Sequence, residues 1–247
     1  MTAPRLALFD LDDTLFAHRA AVSNGIRAYL AALGAPYDAA DPATADALWH
    51  QLEEEHYHSY LTGHLDYDGQ RRERARAFAA AQGVTLADED ALAWYGAYFE
   101  HYVENWELHD DALPCLDQLE RDLSGIRIGV ITNGPLNYQS RKIDRVGLSS
   151  RVEHVITSGA FGIAKPDAAI FVHACAVFDV PIASAAYVGD RLRTDAIGAG
   201  LAGLRGVWLN RARREMTRDE ARDARAAGVL EIRSLAELPA LLARTRE

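Results

Sequence analysis

Phe9-Asp10-Leu11-Asp12-Asp13-Thr14-Leu15 follows an apolar run, Arg5 to Phe9, and sets two carboxylates two residues apart where a strand-like segment ends. Side chains alternate sides on an extended chain, so Asp10 and Asp12 face one way while Leu11 and Asp13 face the other. Similar short apolar runs recur at Ile126 to Ile131, Val152 to Ile156, Ala185 to Val188 and Val207 to Leu209. Most carry no wet face, which predicts a parallel sheet covered by helices on both sides. Helices are expected between the runs at Leu136 to Val146, Ala168 to Phe178 and Asp195 to Leu201.

About a hundred residues without a convincing strand separate the first run from the second, far more than the ~10–15 of an ordinary crossover. Four helices fill that stretch by their apolar periodicity. They are Ala20 to Leu33, a segment opened by Asp41-Pro42 as N-cap and first-turn proline and closed at Gly63, Arg71 to Ala81, and Asp88 to Tyr102. The expected organisation is an α/β core made of residues 1–15 and 110–247, interrupted by an all-helical insertion, 16–109, at the end of the first strand. Farther on, Thr217 to Glu220 reads as a capping box opening a solvated helix.

Composition narrows the function. The chain has 247 residues, 49% of them hydrophobic and 25% charged, which is the profile of a globular protein. Its net charge of −10 gives a poor field for a nucleic acid. No apolar run reaches the ~18 residues of a membrane span. Cys115 and Cys175 form neither a CxxC pair nor a disulfide framework, so buried thiols and a cytoplasmic setting are expected. Among 26 basic residues only Lys142 and Lys165 are lysine. At each, the question is whether a guanidinium would have served as well.

A DxD tripeptide alone is as well explained by an acidic turn capping a helix. If it is a site, the two carboxylates need a cation between them or a proton on one of them. Three further strand ends strengthen the second reading. Thr132-Asn133-Gly134 offers a hydroxyl, an amide and a bare backbone suited to an oxyanion. Gly162-Ile163-Ala164-Lys165-Pro166 supplies an isolated ammonium, able to bridge a carboxylate and a phosphate. Gly189-Asp190 with Asp195 adds hard oxygen ligands of the kind magnesium takes.

In this order, DxDxT, TN, KP and GDxxxxD resemble the haloacid dehalogenase-like hydrolase superfamily, over the whole chain and including a helical cap inserted after the first motif. The resemblance implies a Rossmann-like core. Within the superfamily the chain is most similar to the phosphatase branch that contains N-acylneuraminate-9-phosphatases and pyrimidine 5'-nucleotidases. Tyr60-Leu61-Thr62-Gly63 with Arg71-Arg72, Trp208-Leu209-Asn210-Arg211, and Ser234 to Leu238 carry that finer likeness. What it implies is a magnesium-dependent phosphomonoester hydrolase for a small phosphorylated metabolite, working through an aspartyl phosphate. Asp10 would be the nucleophile and Asp12 the acid/base. Asp10, the Asp12 carbonyl and Asp190 would hold magnesium, with Asp195 behind them, while Thr132, Asn133 and Lys165 would bind the phosphoryl group.

Other residues have plainer readings. Arg191 and Arg193 depart from the small, polar spacing usual in the last motif and read as surface ion pairs. Lys142 reads as part of a solvated helix face. His50, His58 and His101 read as exposed, whereas His18, near the junction with the insertion, is a candidate substrate contact. Trp49, Trp94 and Trp106 read as core of the helical insertion. A haloacid dehalogenase of the same fold has no need of Asp12 or magnesium, a phosphomutase would share the paired aspartates, and a receiver-type module would lack the insertion.

Overall fold

The computed structural model describes residues 3–37 and 41–244. In chain order, β1 (Leu6–Phe9) precedes four helices, α1 (His18–Leu33), α2 (Pro42–Leu61), α3 (Tyr67–Ala81) and α4 (Asp88–Glu104). Then come α5 (Ala112–Asp122), β2 (Arg127–Thr132), α6 (Leu136–Arg145), β3 (His154–Thr157), α7 (Ser158–Phe161), α8 (Ala168–Val177), β4 (Ala185–Gly189), α9 (Gly198–Ala202), β5 (Arg205–Leu209), α10 (Arg218–Ala226), β6 (Leu230–Ile232) and α11 (Leu238–Ala243). The chain divides into two compact units, His18–Trp106 and the remainder.

The larger unit is α/β and Rossmann-like. Its six strands lie in the order β3-β2-β1-β4-β5-β6, every neighbouring pair parallel. From β1 the chain proceeds outward to β2 and β3 on one side, then returns to β4 on the other. The β1/β4 boundary is therefore where the order reverses, and the crevice at the carboxyl ends of those strands is where open α/β sheets bind ligands. Leu6 and Leu8 pack into one core cluster with Ile170, Phe171 and Ala174 of α8, while Ala7 and Phe9 on the opposite face are equally buried. That two-sided burial is why the run is uniformly apolar.

Five of the six strands overlap the apolar runs. The sixth, β6, escaped because it is a three-residue edge strand pairing with β5 and burying fully only Ile232. The helix expected from Asp195 begins instead as a π-type turn, Leu192–Ile197, before α9. The Thr217–Glu220 capping box forms as read.

In the helical unit, Asp41 caps α2 by accepting from Thr44 N, with Pro42 in the first turn. Gly25 of α1 lies against the α4 backbone, where a Cβ would come 2.7 Å from Tyr102 Cα. Trp49 is fully buried between Phe78 and Tyr98, at ring-centroid distances of 5.3 and 4.6 Å, and Trp94 and Trp106 are buried as well. Beneath this aromatic core Arg74 is 2% exposed, stacks 3.9 Å over the Trp49 ring and bonds Glu53 at 2.8 Å. Burial alone would lift the Glu53 carboxyl, but Arg74 and His18 hold it well below the ordinary value.

The structure corrects two of the three histidine assignments. His50 is buried, not exposed, with Nε2 2.9 Å from Ser23 Oγ and with Asp46 and Glu53 beside it at 3.6 and 3.7 Å. A polar ring enters the core when a neighbouring helix supplies its hydrogen bond. His58 is exposed and His101 half-buried. His18 finds its partners within this unit, Tyr102 OH at 2.8 Å and Glu53 at 3.3 Å.

Candidate active site

The loop after β1 turns back on itself. Leu15 and Phe16 N–H groups donate to Leu11 O, Asp13 N–H donates to Phe16 O, and Asp13 takes a left-handed φ of +59°. Leu11 and Leu15 sink completely into the core, which turns Asp10 and Asp12 to the opposite side. Asp10 N–H donates to Val188 O, tying the loop to β4. Thr14, fully buried, accepts at Oγ1 from Asp190 N–H at 3.1 Å. The first and fourth motifs are thus hydrogen-bonded to each other through a residue that the sequence reading gave no role.

Lys165 is the hub. Its Nζ lies 2.6 Å from Asp10 Oδ1, 2.7 Å from Asp195 Oδ1 and 2.8 Å from Tyr187 OH. An ammonium has three hydrogens, and all three are engaged. Tyr187 OH lies 3.1 Å from Ile131 O, to which it donates, and is another participant missed from sequence, because a tyrosine in a buried strand reads as packing. The Asn133 side chain holds the Lys165 main chain, its Oδ1 accepting from Lys165 N–H at 3.0 Å and its Nδ2 donating to Lys165 O at 3.2 Å. Thr132 is buried at the end of β2. Gln139 of α6 donates to Asn133 O at 3.1 Å, and Gly134 N–H donates to Ser158 Oγ.

Asp195 accepts Arg191 N–H at Oδ2, 2.9 Å away, as well as Lys165 at Oδ1. Gly189 is required beside it, since a Cβ there would overlap the Asp195 carboxyl. Arg193 forms the surface ion pair expected of it, with Asp223 at 3.1 Å.

Oxygen atoms of Asp10, Asp190 and Asp195 all lie within 4.8 Å of one another. Three carboxylates against the one ammonium bonded among them leave an excess of negative charge. Burial first, then the neighbouring carboxylates, raises Asp10 to about 7 despite Lys165. The same causes push Asp190 well above the ordinary carboxyl range. Burial pulls the other way on Lys165, but Asp10 and Asp195 outweigh it and keep the ammonium charged. A hard divalent cation suits such an all-oxygen donor set with its surplus of negative charge.

Lys142 is a correction. It is not on a solvated face: it is 1% exposed, and its Nζ lies 2.6 Å from Asp12 Oδ1. Its charge is compensated by a carboxylate 130 residues away in sequence, which helical periodicity cannot reveal.

Two of the motif-like segments also converge behind the loop. Arg211 grips Asp111 with two bonds of 2.8 Å and donates to Thr14 O at 3.0 Å, while Ser234 Oγ and Leu235 N–H donate to the same Asp111 carboxylate. Trp208 Nε1 donates to Asp190 O at 2.8 Å. Against burial, which raises it, Arg211 and Ser234 bring the Asp111 carboxyl down to about 2. A lowered folded-state value stabilises the fold above the ordinary 3.8 and loses that contribution as pH falls through the folded value. Asp111 should therefore contribute about 2 kcal/mol to the fall in the parent's stability, read from urea midpoints, between roughly pH 4 and 2. Asp111→Asn should flatten that part of the profile, and an unchanged acid limb would contradict the assignment.

The model of the haloacid dehalogenase-like hydrolases matches residues 4–203. Phosphoserine phosphatase of Thermus thermophilus is 31% identical over 248 residues, covering 92% of this chain and 97% of its own length. N-acylneuraminate-9-phosphatase of Mus musculus is 29% identical over 244 residues, covering 96% and 93%. Among solved structures, the HAD hydrolase YfnB of Bacillus subtilis, bound to magnesium, superposes with a TM-score of 0.78 at 22% identity, over 98% of this chain and 100% of its own. With four motif-bearing strand ends gathered around Lys165 and a family match across most of the sequence, the chain belongs to the haloacid dehalogenase-like hydrolases.

Proposed function

We propose that the protein is a magnesium-dependent phosphomonoesterase acting on a small phosphorylated metabolite, a sugar phosphate or nucleoside monophosphate, through an aspartyl phosphate on Asp10. The observation that carries this reading is the pair Asp10 and Asp12, one buried and bonded at 2.6 Å to Lys165, the other more exposed and two residues on. Names of the relatives support the class, since both curated proteins compared above are phosphatases of small phosphorylated molecules.

The Asp10 and Asp190 carboxylates with the Asp12 main-chain carbonyl would hold the cation, and Asp195 would steady the cluster through Lys165 and Arg191 N–H. When bound, magnesium neutralises charge on the phosphoryl oxygens. Asp10 attacks phosphorus as the ester P–O bond breaks, and Asp12, with Oδ1 still accepting from Lys142, gives a proton carried on its other oxygen to the leaving alkoxide. Asp12, now a carboxylate, takes a proton from water as that water attacks phosphorus. The Asp10–phosphorus bond breaks and inorganic phosphate departs. Thr132 holds the phosphoryl oxygens at the end of β2, Asn133 holds the Lys165 main chain beside them through its side-chain amide instead of the role expected from sequence, and Lys165 offsets the negative charge gathered there. A dehalogenase would leave Asp12 without a task.

Phosphate release from a panel of sugar phosphates, nucleoside monophosphates and phosphoserine, each with magnesium and with chelator, tests the proposal. Turnover of at least one ester, lost on chelation, is expected. No release from any ester with magnesium present would sink it.

A further inference from the structure

Lys142 is a buried charged side chain at this site that the mechanism above leaves without a task. The helix that carries it shows why it is not ordinary surface charge. On α6, Arg141 and Arg145 are exposed, whereas Gln139, Lys142 and Ile143 are buried. Gln139 and Lys142 are three residues apart and share a face. Gln139 donates to Asn133 O at the end of the phosphoryl-binding strand. Lys142 reaches the catalytic loop, where its Nζ is 2.6 Å from Asp12 Oδ1 and lies 4.9 and 4.7 Å from the ring centroids of Phe16 and Tyr138. Burying an ammonium is costly unless it is paired and hydrogen-bonded, and Asp12 supplies both conditions.

From this geometry we propose that Lys142 is a positioning residue for the acid/base: its ammonium, held from below by α6 and flanked by two rings, fixes where the Asp12 carboxyl stands. Asp12 is 29% exposed, unlike Asp10, so the core around it does less to restrict its side-chain rotamers. Proton transfer demands a carboxyl within hydrogen-bond reach of the ester oxygen, and a misplacement of about 1 Å can cost on the order of 100-fold. One helix face thereby registers Asp12 against the Asn133 segment.

The inference rests on the proposed phosphatase reading, and its test separates the two. Lys142→Met keeps the stem and removes the charge. It should lower kcat/KM on alkyl phosphates, which reports the first half-reaction and its proton transfer, by roughly 10- to 100-fold. On p-nitrophenyl phosphate, whose leaving group departs without a proton, the loss should be several-fold smaller. A lysine that merely supported the fold would depress both esters alike, and equal loss or parent-like rates would overturn the proposal. Lys142→Gln covers the case in which the methionine variant does not fold. The same ester-dependent loss supports positioning, and parent-like kinetics in the glutamine variant would overturn it. In an Asp12→Asn background Lys142→Met should add no further loss. Urea midpoints of the two single variants and the double variant register the pair even without turnover: non-additive shifts are expected, and additive ones would contradict the contact.

Discussion

Asp10→Asn is expected to lower turnover by on the order of 10,000-fold or more, because the amide cannot form the acyl phosphate on which both proposed half-reactions depend. Intact-protein mass spectrometry during turnover should find a phosphorylated parent chain and none in the variant. Folding should survive, since asparagine Oδ1 still accepts from Lys165 Nζ, where the parent bond is 2.6 Å, and a buried carboxyl raised to about 7 is replaced by a neutral isostere. A variant as active as the parent would remove Asp10 from the mechanism and the proposed function with it.

Lys165→Arg should reduce kcat/KM by on the order of 100-fold or more, even though the charge is retained. From composition and motif alone, this substitution is expected to spare folding. The structure changes that expectation. The Lys165 side chain is 3% exposed, and each of its three hydrogens has a partner, Asp10, Asp195 and Tyr187. A planar fork is larger and cannot meet these three acceptors from one point, so overpacking should cost about 1–3 kcal/mol as well. Steady-state kinetics with a urea unfolding curve separates the two effects. Near-normal activity would show that a compact ammonium is not needed there.

Much of this protein is written locally. The uniform apolarity of Leu6 to Phe9 implies a strand buried on both faces, and the structure buries all four residues. The Asp41-Pro42 start and the Thr217–Glu220 box depend on residues at most three apart, and both form. Short-range patterns of this kind also place Asp10, Thr132, Lys165 and Asp190 at or near the carboxyl ends of different strands. What they cannot do is pair them. His50 enters the core because Ser23, on another helix, completes its hydrogen bond. β6 is too short to signal itself and exists through its pairing with β5.

The two lysines among so many arginines show the same division. Sequence alone placed Lys165 beside a proline at a strand end, where an isolated ammonium can bridge a carboxylate and a phosphate. It made Lys142 look like solvent-facing charge on an amphipathic helix. Tertiary structure decided otherwise, burying Lys142 against Asp12, 130 residues away, and engaging Lys165 with Asp10, 155 residues away. The physical reason is that a side chain's preference for water belongs to its own chemistry, whereas the cost of burying a charge is cancelled only by a partner that the folded chain brings to it.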